Sequence, residues 1–119
     1  MAATVQIFGV KNSSGSRAAE RFFKERRIGL QCVDLKQKSF APAEIRRFVD
    51  RFGWEKLLDV EGKPYRDVGL KYLKVSEFEL LSKIEREPKL LKLPLVRFGK
   101  HLSVGEDTKT WREMAESTP

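Results

Sequence analysis

The spacing of apolar positions changes period several times along this chain, and each change marks an element. Val5 to Phe8 is a short apolar run, β-branched and aromatic, that predicts a buried strand. From about Ser16 to Arg26 the period becomes helical. Ala18, Ala19, Phe22 and Phe23 supply the apolar face, and Gly29 closes the segment. Leu30 to Leu35 reads as a second strand. The crossover between the two strands suits a right-handed βαβ unit with a parallel pair. Ser39-Phe40-Ala41-Pro42 then opens another helix, since proline fits a first turn whose N–H has no helical partner. Ile45, Phe48, Val49 and Phe52 repeat at helical spacing until Gly53.

The stretch from Trp54 to Lys74 is less regular. Trp54, Leu57 and Leu58 predict a short helix, and Glu61-Gly62-Lys63-Pro64 predicts a turn. Ser76 and Glu79 form a capping box ahead of Leu80, Leu81 and Ile84, and Pro88 stops that helix. In the last quarter the period falls back to two. Leu93 to Phe98 predicts a strand, Gly99-Lys100 a hairpin turn, and His101 to Val104 its antiparallel partner. Asp107 or Thr108 caps a final helix carrying Trp111 and Met114. The predicted order is β-α-β, a helical insert, then β-β-α: an α/β protein with a mixed four-stranded sheet. No repeat, linker or low-complexity stretch interrupts it, so residues 1–119 are expected to form one domain.

Composition narrows the function classes. Hydrophobic residues make up 40% and charged residues 34% of the 119, values of a globular core rather than a disordered tail. No apolar run approaches the roughly 20 residues that span a bilayer. The start, MAATVQIFGV, lacks a basic region followed by a long apolar stretch, so no signal peptide and no membrane partner are expected, and the address is cytoplasmic. A single cysteine excludes an internal disulfide, and no Cys/His cluster has metal-ligand spacing. The net charge of +7 could attract an acidic partner such as nucleic acid. Yet Lys24-Glu25-Arg26-Arg27 and Glu85-Arg86-Glu87 interleave the signs, the pattern of a solvated helix face. Nucleic acid is the weakest of the partner classes.

The most telling segment is the loop between the first strand and the first helix, Lys11-Asn12-Ser13-Ser14-Gly15-Ser16-Arg17. In small thiol enzymes this place, beside a helix N-terminus, favours a nucleophilic thiolate. Here it offers hydroxyls. The element order is that of a thioredoxin-like fold, and the sequence resembles the arsenate reductase (ArsC/Spx) family, particularly its short bacterial members. The resemblance is carried by Ile7-Phe8-Gly9-Val10-Lys11-Asn12, Arg17-Ala18-Ala19 and Gly53-Trp54-Glu55-Lys56-Leu57-Leu58. Gly62 with Tyr65-Arg66, Leu91-Lys92-Leu93-Pro94-Leu95-Val96 and Val104-Gly105 continue it. The resemblance implies a nucleophilic cysteine where Ser13 stands, and in Spx-type regulators a second cysteine where Ser16 stands. It also implies an oxyanion-holding arginine at Leu93, just before a cis-proline at Pro94, and another near Asp59. Those groups are replaced in this sequence.

Beside these implications stand simpler ones. Ser13, Ser14, Gly15 and Ser16 suffice to cap a helix and permit its tight entry. With Lys11 and Arg17, the same loop's amides form an anion or peptide site. A serine hydrolase is disfavoured, because no nucleophile elbow is present and His101, the single histidine, lies on the C-terminal hairpin. Cys32, in the second strand, reads as a small buried hydrophobe. His101 reads as a water-tolerant strand-edge residue. Phe22, Phe48, Phe52, Phe78 and Trp111 read as core. The expected function is therefore a redox-inactive ArsC/Spx-like protein that binds a partner and needs no cofactor. The family's regulatory branch contacts RNA polymerase, so the resemblance implies a protein partner of the transcription machinery. The alternative is a glutathione- or glutaredoxin-linked reductase of the arsenate reductase type, with glutathione as cosubstrate.

Overall fold

A computed structural model of the chain describes residues 4–68 and 76–117. In chain order the elements are β1 (Val5–Gly9), α1 (Ser14–Glu25), β2 (Leu30–Asp34), α2 (Pro42–Phe52), α3 (Trp54–Leu57), α4 (Lys63–Val68), α5 (Glu77–Arg86), a 3₁₀ turn (Pro88–Leu90), β3 (Leu95–Phe98), β4 (His101–Val104) and α6 (Thr108–Glu116). They group into two compact units, Met1–Asp34 with Leu93–Pro119, and Leu35–Lys92.

The first unit holds a mixed four-stranded sheet in the order β2-β1-β3-β4, with β1 parallel to β2 and antiparallel to β3. β1 is central, and it is apolar apart from Gln6. Val5 and Ile7 face α1 and α6. With Ala19, Phe23, Val96, Phe98, Trp111 and Met114 they form the core of this unit. The Trp111 ring lies 5.7 Å from that of Phe22 and 6.2 Å from that of Phe23, centroid to centroid. Its buried indole N–H donates to Ser103 Oγ at 3.1 Å, which accounts for a serine inside an apolar core. On the opposite face polar residues form a cross-strand ladder: Arg97 donates to Gln6 at 2.5 Å, and Gln6 donates to Gln31 at 3.1 Å.

In the second unit, α2 begins with Pro42 at its first turn and ends at Gly53, whose φ of +78° only glycine adopts readily. Ile45 and Phe48 are its buried residues, and the Phe40 ring meets that of Phe48 edge-on at 6.1 Å. Ser76 caps α5 by accepting from the Glu79 N–H at 3.2 Å, as the capping signal predicts. An isolated antiparallel bridge joins Leu58 to Leu91, flanked by Asp59 N–H to Leu90 O at 2.8 Å and Lys92 N–H to Leu57 O at 2.7 Å. No helix among the described residues is long and apolar enough to cross a membrane.

Several expectations need correction. The third strand starts at Leu95, not Leu93, because Pro94 has no N–H to give a ladder; the Leu93–Pro94 bond is cis. α1 stops at Glu25, four residues before Gly29, and Arg27 takes the left-handed conformation (φ +57°) beyond its end. Lys63 and Pro64 open α4 rather than belonging only to a turn. The irregular stretch expected from Trp54 to Lys74 lies, beyond residue 68, outside the described residues. Cys32 is exposed, not buried, because β2 is an edge strand. Phe78 is 81% exposed, not core. Phe48 and Trp111 are buried, while Phe22 and Phe52 are half-buried.

Candidate functional site

The loop after β1 turns at Lys11 and Asn12, both exposed, and delivers Ser13 as the N-cap of α1. Ser13 has extended backbone angles (φ −97°, ψ 122°), and its Oγ accepts from the Ser16 N–H at 3.2 Å. This is the capping geometry that its sequence position predicts. Ser14 is exposed, whereas Gly15 and Ser16 are buried. Ser16 Oγ accepts from the Val10 N–H at 3.3 Å, so one hydroxyl satisfies a buried donor just ahead of the turn. Gly9 is what makes room for it: a Cβ at Gly9 would lie 2.1 Å from Ser16 Oγ. Arg17 is exposed on the first helical turn.

Gly15 brings the second part of the site into place. A Cβ there would fall 2.6 Å from Leu93 O and 3.2 Å from Pro94 Cδ, so α1 packs its first turn directly on the cis-proline segment. The same hypothetical Cβ lies 3.2 Å from Glu106 Cγ. Pro94 O accepts from the Gly105 N–H at 2.9 Å, which ties the segment to the loop following β4. Leu93 is half-buried and Pro94 buried. Thus Ser13, Gly15, Leu93, Pro94 and Glu106 converge at the N-terminal end of α1. Glu106 is the member that sequence reasoning missed. Its signal was weak, the first of two acids after Val104-Gly105, of which Asp107 is the helix cap.

The electrostatics of this corner are mixed. Lys11 and Arg17 flank the cap in sequence, but a glutamate stem packs against its first turn, and Leu93 has no polar side-chain atom. Asp59 belongs to the other unit. It is half-buried, and its carboxylate crowds Gly62, where a Cβ would lie 2.6 Å from Asp59 Oδ2.

The lone thiol is elsewhere. Cys32 pairs in register with Ile7 on β2, on the face that carries α1. Partial burial pushes its pKa up, as does the carboxylate of Glu20, while the Lys24 ammonium opposes them. Glu20 and Lys24 are themselves paired at 2.7 Å, which raises the Lys24 pKa. His101, half-buried on β4, is within 3.2 Å of Ser117 Oγ. A hollow of about 110 Å³ in the second unit is lined mostly by apolar residues, among them Leu35, Phe40, Ile45 and Ile84, with Ser39 and Glu85 as its polar members. Among the described residues no group of three or more His, Cys, Asp or Glu side chains could hold a metal ion.

The sequence model of the ArsC family matches residues 8–114. Among solved structures, an arsenate reductase from Vibrio cholerae is similar at 20% identity, covering 96% of this chain and 99% of its own, with a TM-score of 0.78. An arsenate reductase (ArsC) related protein from Brucella melitensis is 23% identical over 92% of each chain, with a TM-score of 0.65. Among curated proteins none matches this sequence. These structural likenesses carry the fold, a thioredoxin-like α/β arrangement with a mixed four-stranded sheet. The family match extends from the end of β1 into α6 and takes in the capped loop and the cis-proline: the chain belongs to the ArsC family.

Proposed function

We propose that this chain is a redox-inactive member of the family that works by binding, with a protein of the transcription machinery as its partner. Ser13 stands at the family's nucleophile position and Ser16 at the second thiol position of the regulatory branch. The observation that carries this proposal is the use to which both hydroxyls are put. Ser13 Oγ caps α1 and Ser16 Oγ satisfies the Val10 N–H. A neutral hydroxyl engaged as a backbone hydrogen-bond acceptor is not an activated nucleophile and forms no disulfide. Leu93 adds nothing that could hold an oxyanion, and Glu106 brings a carboxylate-bearing side chain against the same helical turn. The loop Lys11–Arg17 is then a structural cap whose exposed residues, Lys11, Asn12, Ser14 and Arg17, contribute to recognition.

The test is turnover of purified protein with arsenate, and with a disulfide substrate, in the presence of glutathione and glutaredoxin. No turnover is expected. A rate typical of enzymes, lost in Cys32→Ser, would establish the reductase alternative and overturn the proposal.

A further inference from the structure

The hollow of about 110 Å³ in the second unit has an apolar floor and a rim of one sign of charge. Leu35, Ile45, Ile84 and Pro88 are buried and form the floor, and half-buried Phe40 and Leu81 form the walls. Ser39, Pro42 and Glu85 are exposed and make the rim. Leu81, Ile84 and Glu85 share one face of α5 by their spacing, and Pro88 continues that stripe. Glu85 is the one charged group among the described residues that line the hollow, in a chain of net charge +7. No cation among the described residues pairs with it. Lys83 and Arg86 occupy the same last turn of α5 but do not line the hollow. The helix also ends at this rim. Pro88 has no N–H for Ile84 O, and the Lys89 N–H donates to the Glu87 carboxylate at 3.2 Å. The last carbonyls of α5 therefore add partial negative charge to that of Glu85.

We propose that this hollow is a binding site for a small branched aliphatic primary amine, its chain against Leu35, Ile45 and Ile84 and its ammonium at the rim beside Glu85. Size selects the chain. The hollow is smaller than the roughly 150 Å³ of an apolar cavity that takes benzene, which suits a branched chain of about five carbons. Such a chain gains by leaving water for a buried apolar floor. Charge selects the head group. An ammonium meets a carboxylate and the negative end of a helix, whereas a carboxylate on the same chain meets like charge at both. Ser39, on the other side of the rim, offers a hydroxyl as a second acceptor. The site is small and its rim is exposed, so binding is weak, in the millimolar range. It uses no residue of the Lys11–Arg17 loop or the cis-proline, so it stands or falls apart from the proposed partner binding.

Methyl-detected NMR titration of the full chain at neutral pH tests the proposal with three probes that share one chain: isopentylamine, isopentyl alcohol and isocaproate. Isopentylamine should shift the methyl signals of Leu35, Ile45, Leu81 and Ile84 saturably. The alcohol should bind at the same methyls about fivefold more weakly, the worth of one exposed charge pair, and isocaproate more weakly still. Glu85→Gln should bring the amine down to the affinity of the alcohol and leave the alcohol unchanged. Leu81→Trp, which fills the hollow from its wall, should abolish binding of all three. Circular dichroism checks that each variant is folded. No saturable shift at these methyls with isopentylamine, isocaproate binding as tightly as the amine, or amine binding that survives Glu85→Gln or Leu81→Trp unchanged would each overturn the proposal.

Discussion

The N-terminal end of α1 and the edge strand β2 belong to the same unit, yet they treat their polar side chains in opposite ways. At the helix end the backbone is crowded, donors are buried, and two hydroxyls are consumed in satisfying them. On β2 the thiol sits exposed, beside a strand edge, with its pKa raised by partial burial and by Glu20. A helix N-terminus would favour a thiolate, and that is where the serines are. The edge favours the neutral thiol, and that is where the cysteine is. Position in the fold, rather than the presence of sulfur, decides whether chemistry is available.

That contrast breaks most sharply at Gly15. In an open helix a glycine-to-alanine change stabilises by about 1 kcal/mol. Here the new Cβ would fall 2.6 Å from Leu93 O, a backbone atom, so Gly15→Ala should instead destabilise by about 3 kcal/mol. Urea denaturation reads the sign directly, and a gain in stability would show that α1 does not rest on the cis-proline segment. Ser16→Ala comes next. It strands the buried Val10 N–H and should lose about 2 kcal/mol by the same measurement. Ser13→Ala removes only the cap and should lose about 1 kcal/mol. If Ser13→Ala exceeded Ser16→Ala, the two hydroxyls would have their roles reversed.

The edge should respond least. Cys32→Ser is expected to change stability by less than about 0.5 kcal/mol, because the side chain is exposed and anchors nothing. Its chemistry is the sharper probe. The alkylation rate of native protein should rise with pH through a midpoint above that of an unstructured cysteine. Because the folded pKa is the raised one, any stability linked to Cys32 is complete below the unfolded pKa. It declines as pH climbs through the folded value. A midpoint below the ordinary thiol range would make Cys32 an activated group and reverse the comparison.

Much of this was legible in the chain. The hairpin at Gly99-Lys100, the caps at Ser76 and Asp107, and the parallel βαβ unit rest on local signals, and the structure follows them. What escaped depends on relations that local patterns do not carry. Cys32 lies in a strand of apolar character, but its exposure follows from sheet order, which places β2 outermost. Phe78 precedes buried Leu80 by two residues, about 200° around the helix, so it faces away from the Leu80–Ile84 stripe. Its bulk suggested core where its phase did not. At the candidate site, Ser13 as a cap was readable from its position, whereas the approach of Glu106 to Gly15 required the loop after β4 to be placed.

The most direct measurement of the central claim is arsenate reduction across four proteins: wild type, Ser13→Cys, Leu93→Arg and the double variant, each supplied with glutathione and glutaredoxin. Ser13→Cys should gain a thiol whose pKa, read from alkylation against pH, falls below about 8.5. It should still reduce arsenate negligibly, because Leu93 cannot hold the oxyanion in the transition state. The double variant should exceed both single variants, since the two groups act on one transition state. Full turnover by the wild type, or by Ser13→Cys alone, would contradict the claim that this site has lost its chemistry at more than one position.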